Sequence, residues 1–169
     1  MKRALLAGCA LGAAIAALAG CGGSGKPSAA ELLMQKQATL YQIDQIESKF
    51  HLATSTQNIK LMMSLWAPGS VFNIDEQTLT GKAQIRHWFL TQAKAFQPGN
   101  HWESDTPTYK LKASFNGDKG TLYFECHYID PKTAQVVSYV AVTHQIQKIN
   151  GKWLIVNSAA QPAVLSAKP

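Results

Sequence analysis

Residues 121–158 read TLYFECHYID PKTAQVVSYV AVTHQIQKIN GKWLIVNS. Apolar and polar side chains alternate through three runs, and turn-forming residues separate them, which is the pattern of half-buried antiparallel strands. Asn150-Gly151 is the strongest hairpin signal, because a two-residue type I′ turn needs a positive φ at both positions. That turn sets Ile149 against Lys152, Ile146 against Ile155 and His144 against Asn157. Asp130-Pro131-Lys132-Thr133 closes a looser hairpin that places Phe124 near Val142 and Cys126 near Val140. The strands are therefore expected at Thr121–Ile129, Val136–Ile149 and Lys152–Ser158. A fourth, Thr108–Phe115, is expected before the turn Asn116-Gly117-Asp118. One face collects Leu122, Phe124, Cys126, Tyr128, Val140, Val142, His144, Ile146, Trp153, Ile155 and Asn157, joined by Tyr109, Leu111, Ala113 and Phe115. The other carries Tyr123, Glu125, His127, Tyr139, Thr143, Gln145, Gln147, Leu154 and Val156. A single bulge would flip part of this assignment.

Upstream the period changes to that of helices. Ser28-Ala29-Ala30-Glu31 is a capping box, and Leu33, Leu40, Ile43, Ile46, Phe50 and Ala53 form a stripe at three-to-four spacing. A second helix, Ile59–Trp66, follows with Asn58 as its cap, and Ala67-Pro68-Gly69 ends it. Val71–Ile74 reads as a short strand. Thr80 or Gly81 opens a third helix carrying Ile85, Trp88, Phe89 and Phe96, which Pro98-Gly99-Asn100 ends. Three helices followed by a meander predict an α+β domain: N-terminal helices packed in a strongly curved antiparallel sheet.

The first residues read as an address. Lys2 and Arg3 precede an uncharged run, Ala4 to Ala19, whose length as a helix, about 24 Å, falls short of the ~30 Å hydrocarbon core of a bilayer. The run ends in Leu18-Ala19-Gly20-Cys21. This resembles the lipobox of bacterial lipoproteins. The resemblance implies a signal peptide over 1–20, diacylglyceryl attachment at Cys21, and a protein exported to the cell envelope and anchored in a membrane by lipid. Residues 21–28 then form a flexible tether, 29–161 the folded domain and 162–169 a tail. Removing Lys2 and Arg3 from 16 basic side chains leaves 14 against 10 acidic, a net charge of +4 rather than +6. Those 14 are dispersed, and no Gly-rich phosphate loop precedes a helix, so a nucleic-acid partner is not expected. No cysteine or histidine spacing suggests a metal site, and no cofactor is expected.

Three further pieces carry a second resemblance. They are Asn58–Phe72 (NIKLMMSLWAPGSVF), Gly81-Lys82-Ala83-Gln84-Ile85, and Asn150–Ile155 (NGKWLI). In this order and spacing they resemble the SnoaL-like branch of the nuclear transport factor 2-like superfamily. The resemblance implies a cone-shaped roll with a pocket at its wide end. The superfamily includes cyclases, isomerases, dehydratases and non-enzymatic binding or assembly modules, so the fold leaves the function open. The steroid-isomerase set of phenol, base and second acid falls here on Phe50, on Asn73 or Ile74 (with Asp75 one step on), and on His144 or Gln145; that set is not complete.

The residues expected to bind a small, largely apolar ligand are His144 and Asn157 as a polar cross-strand pair, with Tyr109, Tyr128, Trp66, Phe72 and Trp88 as apolar walls. His101-Trp102-Glu103 is placed to cover the pocket mouth. The expected function is a binding or interaction module. A competing reading is a cyclase, isomerase or dehydratase with His144 as general base and Asp75 as a second catalytic candidate. Another is a ligand-free assembly module. Tyr123, Tyr139, Leu154 and Val156 make the outer sheet face a candidate homodimer surface.

Overall fold

The structure, a computed structural model, describes residues 26–162. The expected signal peptide, the Cys21 lipidation site, most of the tether and the residues after Pro162 lie outside the described residues.

Helix α1 (Ala29–Ser55) starts at the expected capping box. Ser28 Oγ accepts from the Glu31 amide, and the Glu31 carboxylate accepts from the Ser28 amide at 2.7 Å. Only its second half is packed: Ile43, Ile46, Phe50, His51, Ala53 and Thr54 are buried. Asn58 caps α2 (Ile59–Ser64) by accepting from the Leu61 amide at 2.9 Å.

Among the described residues seven strands follow: β1 (Trp66–Ile74), β2 (Gln77–Thr80), β3 (Glu103–Asp105), β4 (Lys112–Asn116), β5 (Lys119–Asp130), β6 (Gln135–Ile149) and β7 (Lys152–Pro162). Between β2 and β3 lie α3 (Gly81–Thr91) and a 3-10 turn, Lys94–Phe96. The sheet order is β2-β1-β7-β6-β5-β3, with β4 also paired to β5. All neighbours run antiparallel except β1 and β7, which are parallel and bring the helical half of the chain onto the C-terminal strand. The inner face carries the core: Leu122, Phe124, Cys126, Val142, Ile146 and Ile155 are all buried against Ile43, Ile46 and Phe50 of α1 and Ile85 and Phe89 of α3.

The hairpin registers agree with the sequence in β5–β6, where Phe124 faces Val142 and Cys126 faces Val140. They also agree at the β6–β7 turn, where Asn150 and Gly151 have φ of 51° and 77° and Ile146 faces Ile155. Beyond that point the expected pairing of His144 with Asn157 does not occur. A bulge inserts Val156, so Gln145 faces Asn157 and His144 faces Ser158. One extra residue reverses the side-chain phase, turning Asn157 to the Gln145 side and Ser158 into the core.

Four other expectations are corrected. Trp66 belongs to β1 rather than α2, because it pairs with Ile155. Helix α3 stops at Thr91, and Phe96 reaches the core from the 3-10 turn instead. The strand expected from Thr108 starts at Lys112, since Pro107 leads a 3-10 turn closed by Lys110 N–H donating to Pro107 O at 2.7 Å. Tyr109 therefore lies outside the sheet, 76% exposed.

Candidate functional site

A cavity of about 360 Å³ opens between α3, the end of β1, the later parts of β5 and β7 and the early part of β6. Aromatic rings form much of its wall: Trp88 and Phe89 from α3, Phe96 from the 3-10 turn, and Trp102 beside Tyr128 with 6.0 Å between ring centroids. Val140 and Ala160 contribute apolar surface from the sheet. Hydrogen-bonding groups come from Asp75, Gln92, Lys94, Ser138 and Gln161. The size and the mixture are those of a site for a small amphipathic molecule.

The local sequence explains these placements. Asp75 and Glu76, with φ of 48° and 62°, make the tight β1–β2 turn, which holds Asp75 at the cavity. Trp88 and Phe89 are adjacent on α3, their rings 5.2 Å apart and edge-to-face, so both reach inward. Burial keeps the Tyr128 phenol well above its ordinary pKa, with Cys126 as a further contributor, so it remains a neutral donor at physiological pH.

Of the expected ligand contacts, Trp88 and Tyr128 line the cavity, as does Asp75. Phe72 lies behind them, its ring 5.4 Å from Trp88 and stacked on Phe89 at 6.0 Å. Trp66 and His144 are deeper still. Asn157 and Tyr109 are not brought to the cavity. Of His101-Trp102-Glu103, Trp102 lines the cavity and Glu103 begins β3.

His144 is 0% exposed and is enclosed by Phe124, Phe50 and Trp66, with ring centroids 5.2, 5.8 and 6.1 Å away. Neither ring nitrogen has a hydrogen-bond partner among the described residues, and the same holds for Ser158 Oγ and Trp66 Nε1. Desolvation lowers the His144 pKa to about 3, so the ring is neutral at physiological pH.

Two polar clusters were not anticipated. His51, on α1, is buried and bonded on both nitrogens: Nδ1 to Ser104 Oγ at 2.7 Å and Nε2 to Thr106 Oγ1 at 2.6 Å, with Glu47 Oε1 3.3 Å from Nε2. Thr106 already donates its hydroxyl proton to Glu125 O, so Nε2 carries the ring proton and Nδ1 accepts from Ser104. Burial pushes the Glu47 carboxyl up, but hydrogen bonds, that from His51 foremost, bring the net shift downward. Serine, histidine and glutamate are the residue types of a nucleophilic relay. Here Ser104 is buried and its amide is taken by Ser55 Oγ, so the set acts as a clamp between α1 and β3. The second cluster surrounds Glu125. Its alternation puts it on the outer face, yet it is only 6% exposed. Lys110 Nζ and Tyr123 Oη donate to it at 2.9 and 2.8 Å, and His127 Nε2 lies 3.3 Å away. Sequence spacing offered His127 and Tyr123 as neighbours; the Lys110 turn that covers them is a long-range contact.

A scan against models of protein families finds no match, and none is found among curated proteins. Solved structures do match. An NTF2-like protein with a cystatin-like fold from Novosphingobium aromaticivorans superposes with a TM-score of 0.68 at 13% identity, over 85% of this chain and 95% of that one. The chain has the nuclear transport factor 2-like fold. A protein of unknown function with a cystatin-like fold from Nostoc punctiforme superposes with a TM-score of 0.61 at 16% identity, over 86% and 98% of the two chains. A nuclear transport factor 2-like superfamily protein from Salmonella enterica gives 0.59 at 16%, over 80% and 96%. In this nuclear transport factor 2-like fold the curved sheet holds the helices on one side, and the cavity lies where α3 leaves the sheet uncovered.

Proposed function

We propose that this chain is an exported, lipid-anchored domain that binds a small, largely apolar molecule bearing one or two polar groups. The observation that carries the reading is the aromatic-walled cavity of about 360 Å³ with Asp75, Lys94, Gln92, Ser138 and Gln161 around it. Trp88, Trp102 and Tyr128 would enclose the apolar body, while the polar groups orient its substituents. Anchoring rests on the Leu18-Ala19-Gly20-Cys21 lipobox. A general base must reach its proton and be a strong enough base near the working pH. A fully buried His144 with a pKa of about 3 meets neither condition, which favours binding over His144-based catalysis.

Native mass spectrometry of the protein purified from its own host tests this. The expected result is a retained small-molecule mass on the wild type, absent from Val140→Trp, in which the indole fills the cavity. A bare protein mass from the wild type, together with unaltered tryptophan fluorescence on titration with the host's lipophilic extract, would overturn the reading.

A further inference from the structure

The first ten residues of α1, Ala29–Ala38, are exposed throughout. At ~1.5 Å per residue they project about 15 Å before Ile43, the first buried position of the helix. Within this projection stand Leu32, Leu33 and Met34, exposed by 51%, 58% and 67%. Adjacent in sequence, they point to different sides of the helix, so they make an apolar end rather than a stripe that one packed neighbour would cover. The nearby polar groups leave that end accessible. Glu31 is folded back onto Ser28, which donates to it from both amide and hydroxyl, and Lys26 and Lys36 supply positive charge on either side.

The length of chain before the helix says what meets this end. Gly22 to Pro27 is all that separates Cys21 from the cap residue Ser28. Fully extended, Cys21 to Ser28 spans at most about 25 Å. An acyl chain at Cys21 therefore keeps Leu32, Leu33 and Met34 within about 35 Å of the membrane surface. An exposed apolar segment flanked by lysines is the composition of interfacial helices on anionic lipid. We infer that the projecting start of α1 docks on the lipid surface through Leu32, Leu33 and Met34, providing a second contact beside the acyl anchor. This rests on the lipidation of Cys21 and goes beyond it, because it fixes how the domain sits on the bilayer rather than merely tethering it.

The test uses the full chain, made in a bacterial host, extracted and reconstituted in phosphatidylethanolamine–phosphatidylglycerol vesicles. An environment-sensitive fluorophore is attached at Met34→Cys and, in a second protein, at Ser48→Cys, an exposed position about 21 Å farther along α1. Cys126 is buried and its thiol pKa is raised by desolvation, so it does not compete for the label. The expected result is an acyl mass on Cys21, a blue-shifted Met34 label quenched by doxyl lipids, an unquenched Ser48 label, and loss of the Met34 quench when Leu32→Ser and Leu33→Ser are added. An acylated, vesicle-bound protein whose Met34 label keeps its aqueous emission overturns the docking and leaves the anchor intact. Oxidative disulfide formation between two copies of the unlabelled Met34→Cys protein, with no lipid quenching in its labelled counterpart, overturns it in favour of a second copy as the occupant. Absence of the acyl mass overturns anchor and docking together.

Discussion

Replacing His144 by leucine should change how stability depends on pH. In the folded chain the imidazole is enclosed by Phe50, Trp66 and Phe124 and stays neutral down to about pH 3. In the unfolded chain it takes a proton near its ordinary pKa of 6.5. A folded pKa below the unfolded one means the native state is fully stable above pH 6.5 and loses stability as the pH falls. Each pH unit below that costs about 1.4 kcal/mol, so the loss by pH 5 is about 2 kcal/mol, a substantial part of the ~5–15 kcal/mol typical of a domain. Leucine has nothing to protonate. It also removes two unpaired buried nitrogens, worth about 1–3 kcal/mol, against a shape mismatch of about 1.5 kcal/mol or less. The variant should therefore match or exceed the wild type at pH 7 and exceed it by about 2 kcal/mol more at pH 5. Urea unfolding followed by tryptophan fluorescence at both pH values measures the difference. Equal losses in the two proteins between pH 7 and pH 5 would refute the reasoning, since the other four histidines are common to both.

Other expectations follow from the packing. A Cβ at Gly120 would lie 2.6 Å from Ser114 O and 3.2 Å from the Ile146 side chain, so Gly120→Ala should lower the urea midpoint by the equivalent of about 1–3 kcal/mol. Glu125→Gln should destabilise at pH 7, because the Lys110 ammonium loses its counter-ion. Burial pushes the Glu125 pKa up, but hydrogen bonds from Lys110, Tyr123 and His127 bring it below 4.5 overall, so this deficit should fade as the pH drops through the carboxylate range. Ser104→Ala should cost about 1 kcal/mol by thermal melting, through loss of its bond to His51. Trp102→Ala should leave the melting transition cooperative while abolishing small-molecule retention in native mass spectrometry.

Local signals carried the C-terminal meander. Asn150-Gly151 set one register, and alternation through Phe124, Cys126, Val140 and Val142 set the next; each depends on residues near one another in the chain. The bulge at Val156 left no such mark, because Val156-Asn157-Ser158 alternates acceptably in either phase, and the core chose the small Ser158 over Asn157 opposite His144. Trp66 extended the apolar pattern of α2 and became strand through its parallel pairing with β7, ninety residues away in sequence, which local periodicity does not encode. The cavity was readable as aromatic content, in Trp88 and Tyr128. Its polar residues, Gln92, Lys94, Ser138 and Gln161, come from separate turns and strand ends, and each looks like ordinary surface until the fold assembles them.

The outer strands are short. β2 has four residues at one side of the sheet; β3 with three and β4 with five share the other. Between β3 and β4 the Glu125 carbonyl of β5 is met by the Thr106 hydroxyl rather than by a strand amide. A long unpaired strand invites a neighbouring chain to add itself, and this sheet offers only brief templates, one of them interrupted by a side chain. Molecules of this kind can be crowded side by side on a surface without zipping together through their backbones.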